Sequence, residues 1–214
     1  MHMYIKALEK VASRYAPSRV LSFDVAHVFA ALQLIKRTGR TSRDELSSDL
    51  ALGEGTVRTL VKHLKMNGLV QTSNGGTKMT GKGKGICEGL LSAMPSELSL
   101  PRCSVALGRF NYAVLVKEFG FAVRSGIEQR DAAIKMGATG ATTLLFKENK
   151  FIMPASSHDS LKKEPRVCRM LIEKLKPEDG DVIIIGSADR NEKTAELAAK
   201  NAALLTIFKY EKHH

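Results

Sequence analysis

An α/β chain (α+β overall) in two domains is what the sequence predicts, on three observations. Val25, Val28, Phe29, Leu32 and Ile35, and again Val57, Leu60, Val61 and Leu64, recur at helical spacing in the first half of the chain. Asn74, Gly75 and Gly76 stand between two short alternating segments, the pattern of a tight hairpin. In the second half, residues 181–186 form an apolar strand. They are followed by Ala195, Ala198, Ala199 and Ala202 on one helical face, and then by a second apolar run at 204–208. That strand, helix, strand spacing predicts a parallel pair with a right-handed crossover, and hence a C-terminal α/β domain with a mixed sheet. The expected domains are 1–94, a linker at 95–101 bounded by Pro95 and Pro101, and 102–214.

Taken in order, residues 4–15 place Tyr4, Ile5, Leu8, Val11, Ala12 and Tyr15 on one side of an amphipathic helix that Pro17 stops. It either packs on its own domain or pairs with a second copy. Asp24 suits the start of the next helix, Lys36, Arg37 and Arg40 suit its end, and Gly39 stops it. His27, lone among core positions, reads as structural. A third helix opens at Thr41, where Ser42 and Glu45 have capping-box spacing. Gly53, Glu54 and Gly55 make a turn, and a fourth helix runs to Gly68. Residues 69–73 and 77–80 are the hairpin strands. Ile86, Leu90, Leu91 and Met94 then carry a helix out of the domain.

Beyond the linker, strands are expected at 103–107 and 112–116. A helix with a capping box at Ser125 and Glu128 should end at Gly137, and a hairpin turns at Glu148 and Asn149. Another helix spans about 165–176, with Pro165 in its first turn.

Composition bounds the partners. The formal charge is +11 with a pI near 9.7. Residues 1–95 carry 14 Lys and Arg against 7 Asp and Glu, so the excess is densest there. Such a field concentrates a polyanion, and binding should weaken steeply with salt. Cys87, Cys103 and Cys168 are far apart with no CxxC pair, against both a disulfide framework and a zinc ribbon. No apolar run reaches the roughly 20 residues that span a bilayer and no leader pattern opens the chain, so the expected location is cytoplasmic, with no membrane partner. The pair His213 and His214 is given no function.

The outer side of the fourth helix carries the functional reading. Thr56, Arg58, Thr59, Lys62, His63 and Lys65 are expected to face away from the apolar stripe, with no carboxylate after Glu54. Helix, turn, helix and basic hairpin resemble a winged helix-turn-helix, the residues from Gly53 to Val70 resembling its recognition helix and those from Met79 to Gly83 the passage out of its wing. The resemblance covers roughly residues 20–93; in outline the chain resembles prokaryotic one-component regulators and archaeal winged-helix proteins whose C-terminal domain has no assigned role. It implies duplex DNA as partner, with the fourth helix in the major groove and the hairpin at Asn74 to Lys78 along the backbone or in the minor groove. Candidate DNA-binding residues are Thr41, Ser42, Thr56, Arg58, Thr59, Lys62, His63, Lys65, Asn74, Lys78 and Lys82.

For the C-terminal domain two weak anion sites are open. One is the loop of Ser187, Asp189 and Arg190 before a helix; the other combines Arg124 and Arg130 with Thr142. The helix cap alone explains either one. No catalytic motif, metal-spaced cluster or cofactor fingerprint is present. The reading is a homodimeric transcriptional regulator whose C-terminal domain senses a small anionic ligand or holds the dimer. An enzyme fused to a winged helix, and a winged helix used as a protein-interaction module, are the alternatives.

Overall fold

The computed structural model describes residues 1–13 and 21–210, so Arg14, Tyr15, Pro17 and the terminal histidines lie outside the described residues. The chain divides into two compact units, Met1–Leu90 and Leu91–His214.

The first unit is built from α1 (His2–Val11), α2 (Val25–Thr38), α3 (Arg43–Leu50), α4 (Glu54–Met66), the strands β1 (Val70–Ser73) and β2 (Gly76–Met79), and the start of α5 (Gly81–Ala93). The expected stripes are its core: Val28, Phe29, Leu32, Ile35, Val57, Leu60, Val61 and Leu64 are buried. Side chains cap the starts of α2, α3 and α5. Asp24 accepts from the Val25 N–H while its own N–H donates to His27 Nδ1 at 3.1 Å, which gives that histidine a structural role. Ser42 and Glu45 form the expected capping box, and the N–H and hydroxyl of Ser42 hold the Glu45 carboxyl below its ordinary pKa. Thr80 caps α5 through the Gly83 N–H and donates its hydroxyl to Gly68 O at 2.6 Å. Gly83 is required there, because a Cβ would fall 2.1 Å from the Leu69 carbonyl oxygen.

The second unit is one five-stranded sheet in the order β3 (Glu97–Leu100), β4 (Phe110–Val116), β7 (Val182–Ala188), β5 (Gly140–Lys147), β6 (Lys150–Ile152), with α6 (Ile127–Lys135), α7 (Pro165–Leu175) and α8 (Glu192–Tyr210) packed on it. The α+β class is as expected, but every strand pair is antiparallel. The expected parallel unit is absent because residues 204–208 continue α8 instead of returning as a strand. Leu204, Thr206 and Ile207 are buried within that helix, and Thr206 Oγ1 donates to Ala202 O while accepting from Gln129 Nε2 of α6. Packing against α6 and the sheet overrides the β propensity of this run. Residues 97–100, expected in a linker, are an edge strand paired with β4, and residues 103–106 make only a single bridge.

Strand β7 is buried along its whole length, and its alternation separates two cores. Ile183 and Ile185 join Ala113, Leu115, Leu144 and Phe146 beneath α7. The opposite face receives α8 at close range: a Cβ on Gly186 would lie 2.4 Å from Ala195 O and 2.8 Å from Ala199 N, so the alanine face meets a strand without a side chain.

One buried ionic group ties α8 to the sheet edge. Lys200, 2% exposed, reaches Glu196 at 2.6 Å and Glu97 at 3.0 Å and lies over the Tyr112 ring, while Lys193 pairs with Glu196. Burial pushes the Glu196 carboxyl up, but the attraction of Lys200 and Lys193 and their hydrogen bonds outweigh it, leaving the pKa below its ordinary value. A depressed folded-state pKa contributes stability above the unfolded carboxylate pKa of about 4.3, and that stability is lost as pH falls through the folded value. The stability measured by urea unfolding should therefore fall progressively below about pH 4.3, and Glu196→Gln should flatten that acid limb relative to the parent chain.

Candidate nucleic-acid interface

The turn between α3 and α4 is set by Ala51 in the left-handed region (φ 52°) and by Gly53 as N-cap of α4. The hairpin is then attached to this pair by backbone. Thr41 N donates to Thr77 O at 2.9 Å and Thr77 N to Thr41 O at 2.8 Å, with both residues buried. Thr41, two residues before α3, thus makes an isolated antiparallel bridge beside β2. Of the three hairpin residues only Gly76 uses positive φ, at 111°, and a Cβ there would stand 2.8 Å from Thr41 O.

These constraints open a cleft of about 550 Å³ between the N-terminal ends of α3 and α4 and the hairpin. It is lined by Ser42, Arg43, Asp44, Glu54, Arg58 and the hairpin residues 72–77. Ser42, Arg58 and Asn74, far apart in the chain, are thereby brought together. Arg43 and Arg58 face Asp44 and Glu54, so the cleft walls balance in charge. The positive excess lies on the exposed Lys62 and Lys65 of α4 and on Lys78 of β2.

Other expected residues are placed differently. Thr41 is fully buried, its hydroxyl 2.6 Å from Thr38 Oγ1, because it belongs to the backbone bridge. His63 is 6% exposed. Its Nδ1 lies 2.8 Å from Val11 O and its ring meets Phe23 edge-on, so it packs α4 into the core instead of standing on the outer face. Thr56 and Thr59 are half-buried, with the Thr59 hydroxyl donating to Gly55 O. Lys82 donates to Asn67 O at 3.0 Å and so serves the C-terminal end of α4, where the helix dipole favours a cation.

Arg40 and Arg43 are the residues that sequence reading missed. Lys36 pairs with Glu88 and Arg37 with Asp49, while Arg40 lies along the hairpin tip, its Nη1 2.0 Å from where a Gly75 Cβ would be. The signal was the pair of consecutive glycines, which leaves room for a guanidinium against backbone.

Both C-terminal candidates change on inspection. Ser187 is 7% exposed and donates to Asn111 Oδ1, which also accepts from Gly108 N, while Asp189 accepts from Arg109 N. Asn191 accepts from the Thr194 N–H and hydroxyl and so caps α8, leaving Arg190 exposed on a loop whose polar groups serve the fold. At the other site Gly126, not Ser125, is the N-cap of α6, with φ 76° and no side-chain cap; Glu128 pairs with Lys209. The expected capping box is therefore not formed. Ser125, Gly126, Ile127, Arg130, Thr142 and Thr143 line a pocket of about 250 Å³, whereas Arg124 is exposed and outside that lining. Among the described residues, no group of three or more His, Cys, Asp or Glu could hold a metal ion, and no helix is long and apolar enough to cross a membrane.

Residues 25–94 match the family described as "CggR N-terminal DNA binding domain", and residues 107–207 match "Domain of unknown function (DUF4443)". The class is that of chains joining an N-terminal helix-turn-helix domain of DNA-binding type to a C-terminal α/β domain. The chain belongs to the family of the hypothetical protein PH0730 from Pyrococcus horikoshii OT3, with which it is 31% identical over 90% of this chain and 96% of that one, at a TM-score of 0.69. No curated protein matches the chain.

Gly76→Ala tests the hairpin attachment. It should cost about 1–3 kcal/mol of stability through positive φ and the approach to Thr41 O. In thermal unfolding the transition should fall accordingly, and hydrogen exchange at the Thr77 amide should accelerate more than at β7.

Proposed function

We propose that the protein is a sequence-specific, DNA-binding transcriptional regulator of the winged helix-turn-helix type. In this reading α4 enters the major groove with Arg58 at a base edge. Thr56, Thr59, Lys62 and Lys65 approach bases or phosphates, and the hairpin with Asn74 and Lys78 is the wing on the backbone. The observation that carries it is the cleft shared by α3, α4 and the hairpin tip, with Ser42, Arg58 and Asn74 around it. The match to the CggR N-terminal DNA binding domain supports the same partner. Arg40 and Arg43 join the phosphate-contacting set. Residues 102–214 serve as effector or dimerisation domain of a homodimer in the cytoplasm, and a small ligand that favours one separation of the two recognition helices would change DNA affinity by its differential affinity for the two states.

Selection from a pool of random duplexes at two salt concentrations tests this. A palindrome with half-sites about 10 base pairs apart is expected; salt-sensitive binding without enrichment would overturn sequence-specific regulation.

Two substitutions separate readout from backbone contact. Arg58→Ala should cost about 1–3 kcal/mol in binding and relax preference at one base position. By contrast, Lys78→Ala should weaken all sequences alike and lower the slope of log K against log salt by about one. Fluorescence anisotropy over a duplex series measures both, and uniform loss from Arg58→Ala would remove that residue from readout.

A further inference from the structure

We infer that the pocket at the N-terminus of α6 binds a small monocarboxylate with a short apolar tail. Its biological meaning rests on the C-terminal domain being a ligand sensor. The binding itself does not.

Three observations converge on this pocket. First, α6 begins at Gly126 with no side-chain cap; the Ile127 N–H has only a long, 3.4 Å contact to Ser125 Oγ, and the first intrahelical bond of this turn is Arg130 N to Gly126 O. The weakly engaged amide of Ile127, a residue of the pocket lining, therefore presents the positive end of the helix to whatever occupies the pocket. Second, Thr143 of β5 is 4% exposed, yet its Oγ1 has no hydrogen-bond partner. Leu144 and Phe146, two positions apart on β5, share the face that lies under α7, so by alternation Thr143 stands on the opposite, α6 side. Its Oγ1 lies 3.4 Å from where a Gly126 Cβ would be. A buried hydroxyl without a partner is rare in a folded protein, and this one lines the pocket beside uncapped helix amides. Third, the rim is apolar: Ile127 and Met153 are both substantially exposed, and Pro154 and Ala141 complete that wall.

The charge balance selects the ligand class. Arg130 lines the pocket, but its Nε and Nη2 both donate to Asp131 Oδ1, at 3.3 and 3.1 Å. That leaves the helix end, equivalent to about half an elementary charge, as the main attraction. It suits one negative charge better than the two of a phosphate. A carboxylate can accept from the Ile127 amide and from the Thr143 hydroxyl while its chain lies against the Ile127 and Met153 side chains. With a volume of about 250 Å³ the pocket takes a short chain, not a nucleotide.

Nuclear magnetic resonance titration of the full chain decides it, with butyrate, butylammonium and inorganic phosphate as probes. Butyrate should shift the Ile127 and Thr143 amides saturably, phosphate more weakly, and butylammonium, with the same tail and opposite charge, not at all. Thr143→Val keeps the shape and removes only the unpaired hydroxyl, so the chain should stay folded while butyrate binds about tenfold more weakly. Equal shifts from butylammonium, stronger binding of phosphate, or unchanged affinity in Thr143→Val would each overturn the inference. DNA affinity measured with and without butyrate then tests the sensor reading separately. Binding without any change in DNA affinity would retain the site and remove the sensing role.

Discussion

The first unit depends on two backbone hydrogen bonds between Thr41 and Thr77. They join the segment between α2 and α3 to the second hairpin strand, and the burial of both residues removes competition from water. Without that bridge the hairpin is a two-stranded ribbon, a structure only marginally stable by itself. With it, the tip is held in register with the N-terminal ends of α3 and α4, and one cleft includes side chains from three elements. Gly76, whose Cβ would strike Thr41 O, and Gly75, against which Arg40 lies, are the conditions for that approach.

The second unit is organised by a close approach of a different kind. Gly186 lets α8 reach the backbone of β7, and the alanines of α8 complete the fit. Because β7 is covered on both sides, its polar ends are satisfied inside the fold: Ser187 through Asn111, and Asp181 by accepting from the Glu118 and Glu178 N–H groups. Those side chains look like ligand groups in one dimension. Their partners in three dimensions show that they close the sheet. The end of α6 differs, since neither Ser125 nor Glu128 caps it and Thr143 beneath it has no partner.

Much of this was legible from residue spacing. The stripes of α2 and α4, the capping box of α3, the hairpin at Asn74 and Gly75 and the turn at Glu148 and Asn149 all depend on neighbours within a few positions, and local chemistry suffices for these. Reading failed where long-range packing outweighed local preference. The β-branched and aromatic run at 204–208 became helix because α6 and the sheet bury it. Residues 97–100 became a strand because β4 offers an edge. His63 shows the same limit at a single position: helical geometry puts it near the boundary of the stripe, and Val11 and Phe23 pull it inside.

By itself, then, the sequence determined the helix-turn-helix with its hairpin, the basic character of that half and the α+β composition of the rest, since periodicity, caps and charge are properties of adjacent residues. The tertiary structure alone decided which polar groups remain available. Thr41, His63 and Lys82 are engaged in holding the fold, Arg43 lines the cleft, Arg40 lies against the hairpin tip at Gly75, and the uncapped start of α6 is set over an unpartnered threonine. A hydrogen-bonding group is free or engaged according to what lies across space from it, and the spacing of residues along the chain carries no record of that.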